Sequence, residues 1–89
     1  MITRRINAGA CTLGENHIYV FGGRSEGDEF YETIERYNLD LNLWNMLHIK
    51  LPNKLSNLFA FHFSNNNEDN IIIFGGVKKV EQIHKAEMQ

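Results

Sequence analysis

The sequence predicts an all-β fold in which one structural unit is repeated. A double glycine occurs twice, each time after a short run of β-forming residues, and the two pairs start 53 residues apart. These are residues 17–21 before Gly22 and Gly23, and residues 71–74 before Gly75 and Gly76. A period near 50 residues with a strand that ends in two glycines is typical of a β-propeller blade. The chain is therefore expected to contain one four-stranded antiparallel blade and about half of a second.

Four strands are predicted in the first unit. Residues 8–13 begin with small side chains, which suit the innermost strand of a blade, where neighbouring units crowd together. Residues 17–21 are rich in Ile, Tyr, Val and Phe and form the second strand. A polar, acidic loop leads to a third strand at 33–38, and a turn leads to a fourth at 43–49.

A second, shorter cycle follows Pro52, because proline cannot continue a central strand ladder. Residues 54–60 align with residues 4–10 without a gap, and strands are expected at 58–64 and 71–74. The predicted boundaries are therefore 1–53 for the first blade and 54–89 for the incomplete second blade. Residues 77–89 remain open between two structures: the spacing of their apolar residues is helical, whereas their register with the first unit predicts a loop and a strand.

Composition narrows the classes of partner. The formal net charge of −2 gives no electrostatic basis for binding nucleic acid or an anionic membrane. No apolar run approaches the ~20 residues of a transmembrane helix, and no apolar signal-peptide core follows the charged N-terminus. A single cysteine, Cys11, excludes an internal disulfide and fits a reducing compartment, so a cytoplasmic location is expected.

The first unit resembles the kelch repeat family. Gly22 and Gly23 follow a strand, a variable loop comes next, and Tyr37 and Trp44 are separated by six residues. The second unit has Gly75 and Gly76 but no Tyr or Trp after them. The resemblance implies a blade of a larger propeller and, as the commonest role, a protein-interaction module. Some family members are enzymes, including copper-dependent oxidases and sugar-acid isomerases, although the repeat motif itself performs no chemistry.

Residues that could carry chemistry are better explained by structural roles. The four histidines lack metal-ligand spacing, and the two glycine pairs lack a phosphate-loop pattern. Cys11 lies among small residues with no charged neighbour, which favours a buried, inert thiol over a nucleophile. Tyr37 and Trp44 are expected in the core. The acidic loop lacks calcium-loop spacing. No catalytic residue, metal or cofactor is therefore predicted.

A partner surface is predicted from the geometry of the meander. Four antiparallel strands send alternate connections to opposite ends, so the loop 24–32 and the link 50–56 share one end of the blade. Exposed variable loops on a rigid scaffold are common binding sites. The candidate residues are Arg24, Glu26, Asp28, Glu29, Phe30, Tyr31, Lys50, Asn53 and Lys54.

Three readings of the whole chain follow. The leading one is a non-catalytic kelch-repeat module that binds a protein partner and belongs to a larger propeller. The alternative is a piece of a propeller enzyme whose catalytic residues lie in other blades, and a third is a truncated product without an independent role. Because repeat units are stabilised largely by their neighbours, the chain is expected to self-associate or to be completed by further blades.

Overall fold

The protein is described by a computed structural model that covers residues 1–54, 56–65, 68–75 and 79–84. It is an all-β protein, and these residues contain seven strands and no helix. The strands are β1 (Gly9–Leu13), β2 (His17–Phe21), β3 (Thr33–Asn38), β4 (Leu43–Lys50), β5 (Phe59–Asn65), β6 (Glu68–Gly75) and β7 (Lys79–His84). Gly76, the last residue of the second predicted glycine pair, lies outside the described residues.

The strands form two antiparallel sheets in chain order. Sheet I has the order β1-β2-β3-β4, and sheet II has the order β5-β6-β7. The prediction of one four-stranded blade beside a second sheet is confirmed. The open question about the tail is answered in part, because residues 79–84 form a strand that pairs with β6 rather than a helix.

The hydrophobic core lies between the two sheets. Sheet I contributes Leu13, Tyr19, Phe21 and Ile34, sheet II contributes Ile71 and Ile73, and the connecting segment contributes Leu51 and Leu58. Phe21, Ile34, Ile71 and Ile73 are completely buried. Full burial of side chains of this size stabilises a fold by about 1.5–3 kcal/mol each. The contact between the sheets is therefore the main apolar contribution to stability among the described residues.

The predicted core position of Tyr37 and Trp44 needs correction. Tyr37 pairs with Ile18 on one side and with Trp44 on the other, so these three side chains share a face. Tyr19 and Phe21 point to the opposite face, which packs against sheet II. Tyr37 and Trp44 are only partly buried and pack on each other, with ring centroids 4.9 Å apart. The reason is that sheet II covers only one face of sheet I.

Left-handed backbone conformations mark equivalent points of the two units. Asn7 and Asn57 both have a φ of 57°, and the Asn57 amide donates a hydrogen bond of 2.9 Å to the Asn7 carbonyl. This equivalence supports the ungapped alignment of residues 54–60 with 4–10. Gly23 has a φ of 89°, and an added Cβ would lie 3.0 Å from the Ile6 carbonyl oxygen, so this position requires glycine.

Candidate functional site

The loop between β2 and β3 is held by backbone hydrogen bonds at its base. Ile6 and Arg24 exchange two of them, at 2.8 and 2.9 Å, which attach the N-terminal segment to the start of the loop. The Tyr31 amide donates to the Gly23 carbonyl at 2.9 Å and closes the loop. Exposed side chains on this loop are therefore carried by a backbone with a defined path.

A tight turn centred on Ser25 organises the tip of the loop. The Ser25 hydroxyl oxygen accepts hydrogen bonds from the amides of Gly27 and Glu29, at 3.2 and 3.1 Å. Asp28 has a φ of 62° and its carboxylate lies 3.0 Å from the Arg24 guanidinium. These contacts direct the side chains of Glu26 and Glu29 into solvent.

A buried ion pair anchors the N-terminal segment below this loop. The Glu35 carboxylate accepts hydrogen bonds from the amides of Ile2 and Thr3, at 2.7 and 3.2 Å, and from Arg5 Nε at 2.9 Å. Both charged side chains have 0% exposure. Arg5 also donates to the carbonyls of Gly22 and Thr33, at 2.8 and 3.0 Å, so the charges and most donors are satisfied.

The sequence analysis did not identify Arg5 or Glu35 as a pair. They are 30 residues apart, and each has an ordinary surface composition around it. The available signal was indirect: Glu35 lies inside the predicted strand 33–38, where a buried carboxylate without a partner is costly. The pair matters for the site because Tyr31 lies over the Arg5 guanidinium, 5.4 Å from carbon to ring centroid.

An open groove of about 490 Å³ lies between the N-terminal segment and the loop. Its lining includes Met1, Arg4, Ile6, Ser25, Glu26 and Tyr31. Arg4 and Glu26 face each other across it at 3.7 Å, and both side chains are largely exposed. An exposed pair of this kind contributes little stability, so either partner is free to exchange its contact for a bound group.

The structure brings the predicted loop and link together at one end of sheet I. The Leu51 amide donates to the Glu32 carbonyl at 2.7 Å, and Lys50 Nζ lies 3.9 Å from a Glu32 carboxylate oxygen. Around the loop, Glu26, Asp28, Glu29 and Phe30 are exposed, whereas Arg24 and Tyr31 are partly buried. In the link, Lys54 is exposed and Asn53 is partly buried. Their role in binding stays a prediction.

The opposite end of sheet I carries an apolar cluster that the sequence analysis missed. Leu39, Leu41 and Leu43 are 49%, 65% and 53% exposed at the turn between β3 and β4. The Leu39 amide donates to the Asn16 carbonyl at 2.8 Å, which joins this turn to the one between β1 and β2. The signal was present as three alternating leucines in a turn, where polar residues are usual.

One Ser-His-Asp grouping occurs on sheet II, but its bonding differs from that of a nucleophile. His62 Nε2 lies 3.0 Å from Asp69 Oδ1, and the Ser64 hydroxyl donates to the same oxygen at 2.8 Å. A nucleophilic serine instead donates to the histidine, which then removes its proton. The grouping therefore ties β5 to β6. Burial raises the pKa of the Cys11 thiol to about 11, which disfavours the reactive thiolate.

The described residues contain no cluster of three or more His, Cys, Asp or Glu side chains able to hold a metal ion. None of them forms a helix long and apolar enough to cross a membrane.

The family model described as the kelch motif matches residues 4–47, from the N-terminal segment to the middle of β4. The match contains the whole candidate loop, Arg5 and Glu35, as well as the first glycine pair. No curated protein matches the chain.

Proposed function

Because residues 4–47 are a kelch repeat, we propose that this kelch-repeat chain is a non-catalytic protein-interaction module and belongs to a larger β-propeller. The single observation that carries the proposal is the loop 24–32, which is closed by backbone hydrogen bonds and still exposes its charged tip beside a groove. A rigid scaffold with an ordered, exposed loop is the usual design of a binding surface. The proposed location is cytoplasmic, which rests on the single cysteine.

The chemistry of the loop indicates what the partner presents. The loop exposes three carboxylates, on Glu26, Asp28 and Glu29, and the ring of Phe30, which follows them in the sequence. Among the described residues, Arg24 lies 3.0 Å from Asp28 and is partly buried, whereas Arg4 lies 3.7 Å from Glu26 and is largely exposed. We therefore propose a protein segment with lysine or arginine side chains next to an apolar side chain. Complementary charge of this kind mainly raises the rate of association and the selectivity.

The proposal of a non-catalytic role is supported by the state of the candidate nucleophiles. The Ser64 hydroxyl donates its hydrogen bond to Asp69 rather than to His62, and burial raises the pKa of the Cys11 thiol to about 11. Neither group is activated in the way that covalent catalysis needs. The described residues thus favour binding over chemistry.

Site-directed photo-crosslinking tests the binding surface. The photoreactive residue p-benzoylphenylalanine replaces Phe30 in one chain and Leu41 in a control chain, because both side chains are exposed but lie at opposite ends of sheet I. In extract from the source cells, we expect a discrete protein adduct from position 30 and none from position 41. Unmodified chain in excess should suppress the adduct.

A charge-reversed competitor makes the test specific. An unmodified chain with Glu26→Lys and Glu29→Lys should compete at least about tenfold less well than the parent, since two favourable charge contacts become repulsive. Adducts from position 41 alone, or equal competition by both chains, would place the binding surface elsewhere.

A further inference from the structure

Both sheets carry an apolar face that no described residue of another sheet covers. The outer face of sheet I presents Ile18, Tyr37, Trp44 and Met46, which are partly or largely accessible. The outer face of sheet II presents Phe59, Phe61 and Phe74, which are 67%, 56% and 43% exposed. Single exposed apolar side chains are normal, but a row of three phenylalanines is typical of an interaction surface.

Repeat alignment shows that these two outer faces are complementary to each other. Ile72 and Phe74 of sheet II occupy the positions of Tyr19 and Phe21 of sheet I, because the second strands of the units are offset by 53 residues. Tyr19 and Phe21 belong to the inner face of sheet I, which packs against Ile71 and Ile73.

The residues that sheet II contributes to that contact also have equivalents in sheet I. Ile71 and Ile73 occupy the positions of Ile18 and Val20 in sheet I, which both belong to its outer face. The outer face of sheet II is thus equivalent to the inner face of sheet I, and the outer face of sheet I is equivalent to the inner face of sheet II. These two inner faces already pack on each other within the chain.

We propose that the outer face of sheet II binds the outer face of sheet I in a second copy of this chain, head to tail. The contact repeats between copies the contact already formed between the sheets of one copy, with Ile72 and Phe74 on one side and the partly exposed Ile18 on the other. A head-to-tail contact is heterologous and closes into a ring when the rotation permits. With two sheets per copy and roughly four to eight blades per ring, the ring holds about two to four copies.

Charge does not oppose this contact. On the outer face of sheet I, Arg5 and Glu35 neutralise each other and have 0% exposure. Lys50, at the edge of this face, lies 3.9 Å from a Glu32 carboxylate oxygen. The aromatic row of sheet II alternates along β5 with Ala60 and His62, which point to the other face. Both surfaces therefore lose water without leaving an unpaired charge among the described side chains.

The proposal concerns a surface that is separate from the loop 24–32, so it fails or stands independently of the proposed partner site. Sedimentation velocity of the purified 89-residue chain over a range of concentrations gives the first readout. We expect species that are multiples of 10.3 kDa and that dissociate on dilution. A chain that remains a monomer at every concentration would overturn the proposal, and the covering blades would then come from elsewhere.

Two variants establish the direction of the contact. Ile18→Lys blocks the outer face of sheet I, and Phe61→Lys blocks that of sheet II. The two new charges have the same sign, so the two blocked faces cannot pair with each other. Each change buries a charge in the contact and should weaken self-association at least about tenfold. Leu41→Glu, at an exposed position in the turn between β3 and β4, is the control and should assemble like the parent.

Mixing the two blocked chains is the decisive step. Each keeps one open face, and the two open faces are of opposite kind, so the mixture should form a species of two chains and nothing larger. Formation of this species also shows that both variants are folded. If either variant alone assembled as strongly as the parent, or if two variants with parental circular dichroism failed to pair when mixed, the head-to-tail contact would be wrong.

Discussion

Phe21 and Phe74 stand at the same position of the two units, yet Phe21 has 0% exposure and Phe74 is 43% exposed. Both follow a β-forming run and precede a glycine, and both lie in the second strand of a sheet. The difference is the neighbour, because Phe21 faces sheet II and Phe74 faces no described strand of another sheet. Burial in a repeat array is thus set by the adjacent unit as much as by the residue itself.

The same comparison applies to the two faces of sheet I. Its inner face contains completely buried apolar side chains, whereas its outer face contains Tyr37 and Trp44, which shield each other only in part. The buried ion pair of Arg5 with Glu35 holds the N-terminal segment over part of the outer face. The two faces therefore differ in what covers them and should respond differently to substitution.

Alanine substitution at the two equivalent phenylalanines should give the largest difference in the free energy of unfolding. Phe21→Ala removes a completely buried ring and should lower the free energy of unfolding by about 3–5 kcal/mol. Phe74→Ala in the dilute chain should cost less than about 1 kcal/mol, since the ring has little packing to lose. Urea unfolding followed by circular dichroism measures both. Equal losses would mean that the two positions are packed alike.

Removal of one partner from the buried ion pair should have an effect nearly as large. Glu35→Gln leaves Arg5 charged and without a counter-ion in a buried site, which typically costs about 3–5 kcal/mol. Glu32→Gln is the matched control, because its contact with Lys50 is exposed and long, at 3.9 Å, and such pairs contribute about 0–1 kcal/mol. Chemical unfolding of both variants gives the comparison. A Glu35→Gln protein as stable as the control would show that the ion pair of Arg5 with Glu35 does not stabilise the fold.

Truncation on the outer face should have an intermediate effect. Trp44→Ala removes the ring that packs at a tilt on Tyr37 but no core contact, so a loss of about 1–2 kcal/mol is expected, below that of Phe21→Ala. Thermal unfolding measured at low concentration isolates this effect from any contact between copies. A loss as large as that of Phe21→Ala would show that Trp44 is core after all.

A further effect, which appears only at alkaline pH, should come from the Cys11 thiol. Burial raises its pKa from 9.0 to about 11, so the folded chain holds the proton at pH values where the unfolded chain has lost it. The stabilising contribution is complete below the ordinary pKa and disappears as the pH rises through about 11. The difference in unfolding free energy between parent and Cys11→Ala should therefore shrink between pH 8 and 11. A constant difference would contradict the pKa.

The strands could be predicted from the sequence because their signals are local. Runs such as 17–21 alternate with turn residues, and the repeat of the glycine pair identifies the unit. Which face each strand presents could not be predicted, since it depends on register. Tyr37 lies opposite Ile18 rather than Tyr19, and a shift of one residue would have placed its ring in the core.

The candidate site could also be predicted only in part from the sequence. The common location of the loop 24–32 and the start of the link follows from the meander and could be predicted. The groove could not, because one wall is the N-terminal segment, which reaches its position through a contact between Ile2 and Glu35 across 33 residues. Nothing in the local sequence around either residue indicates that contact.

Thiol labelling at the two equivalent positions measures how strongly the neighbouring sheet controls the burial of each side chain. In a Cys11→Ser background, Phe21→Cys and Phe74→Cys are labelled with a maleimide in dilute, folded protein. We expect that Cys at position 74 reacts at least about 100-fold faster than Cys at position 21, whose exposure requires the sheets to separate. Equal rates in two variants that unfold cooperatively would contradict the claim that the neighbouring sheet determines burial in this protein.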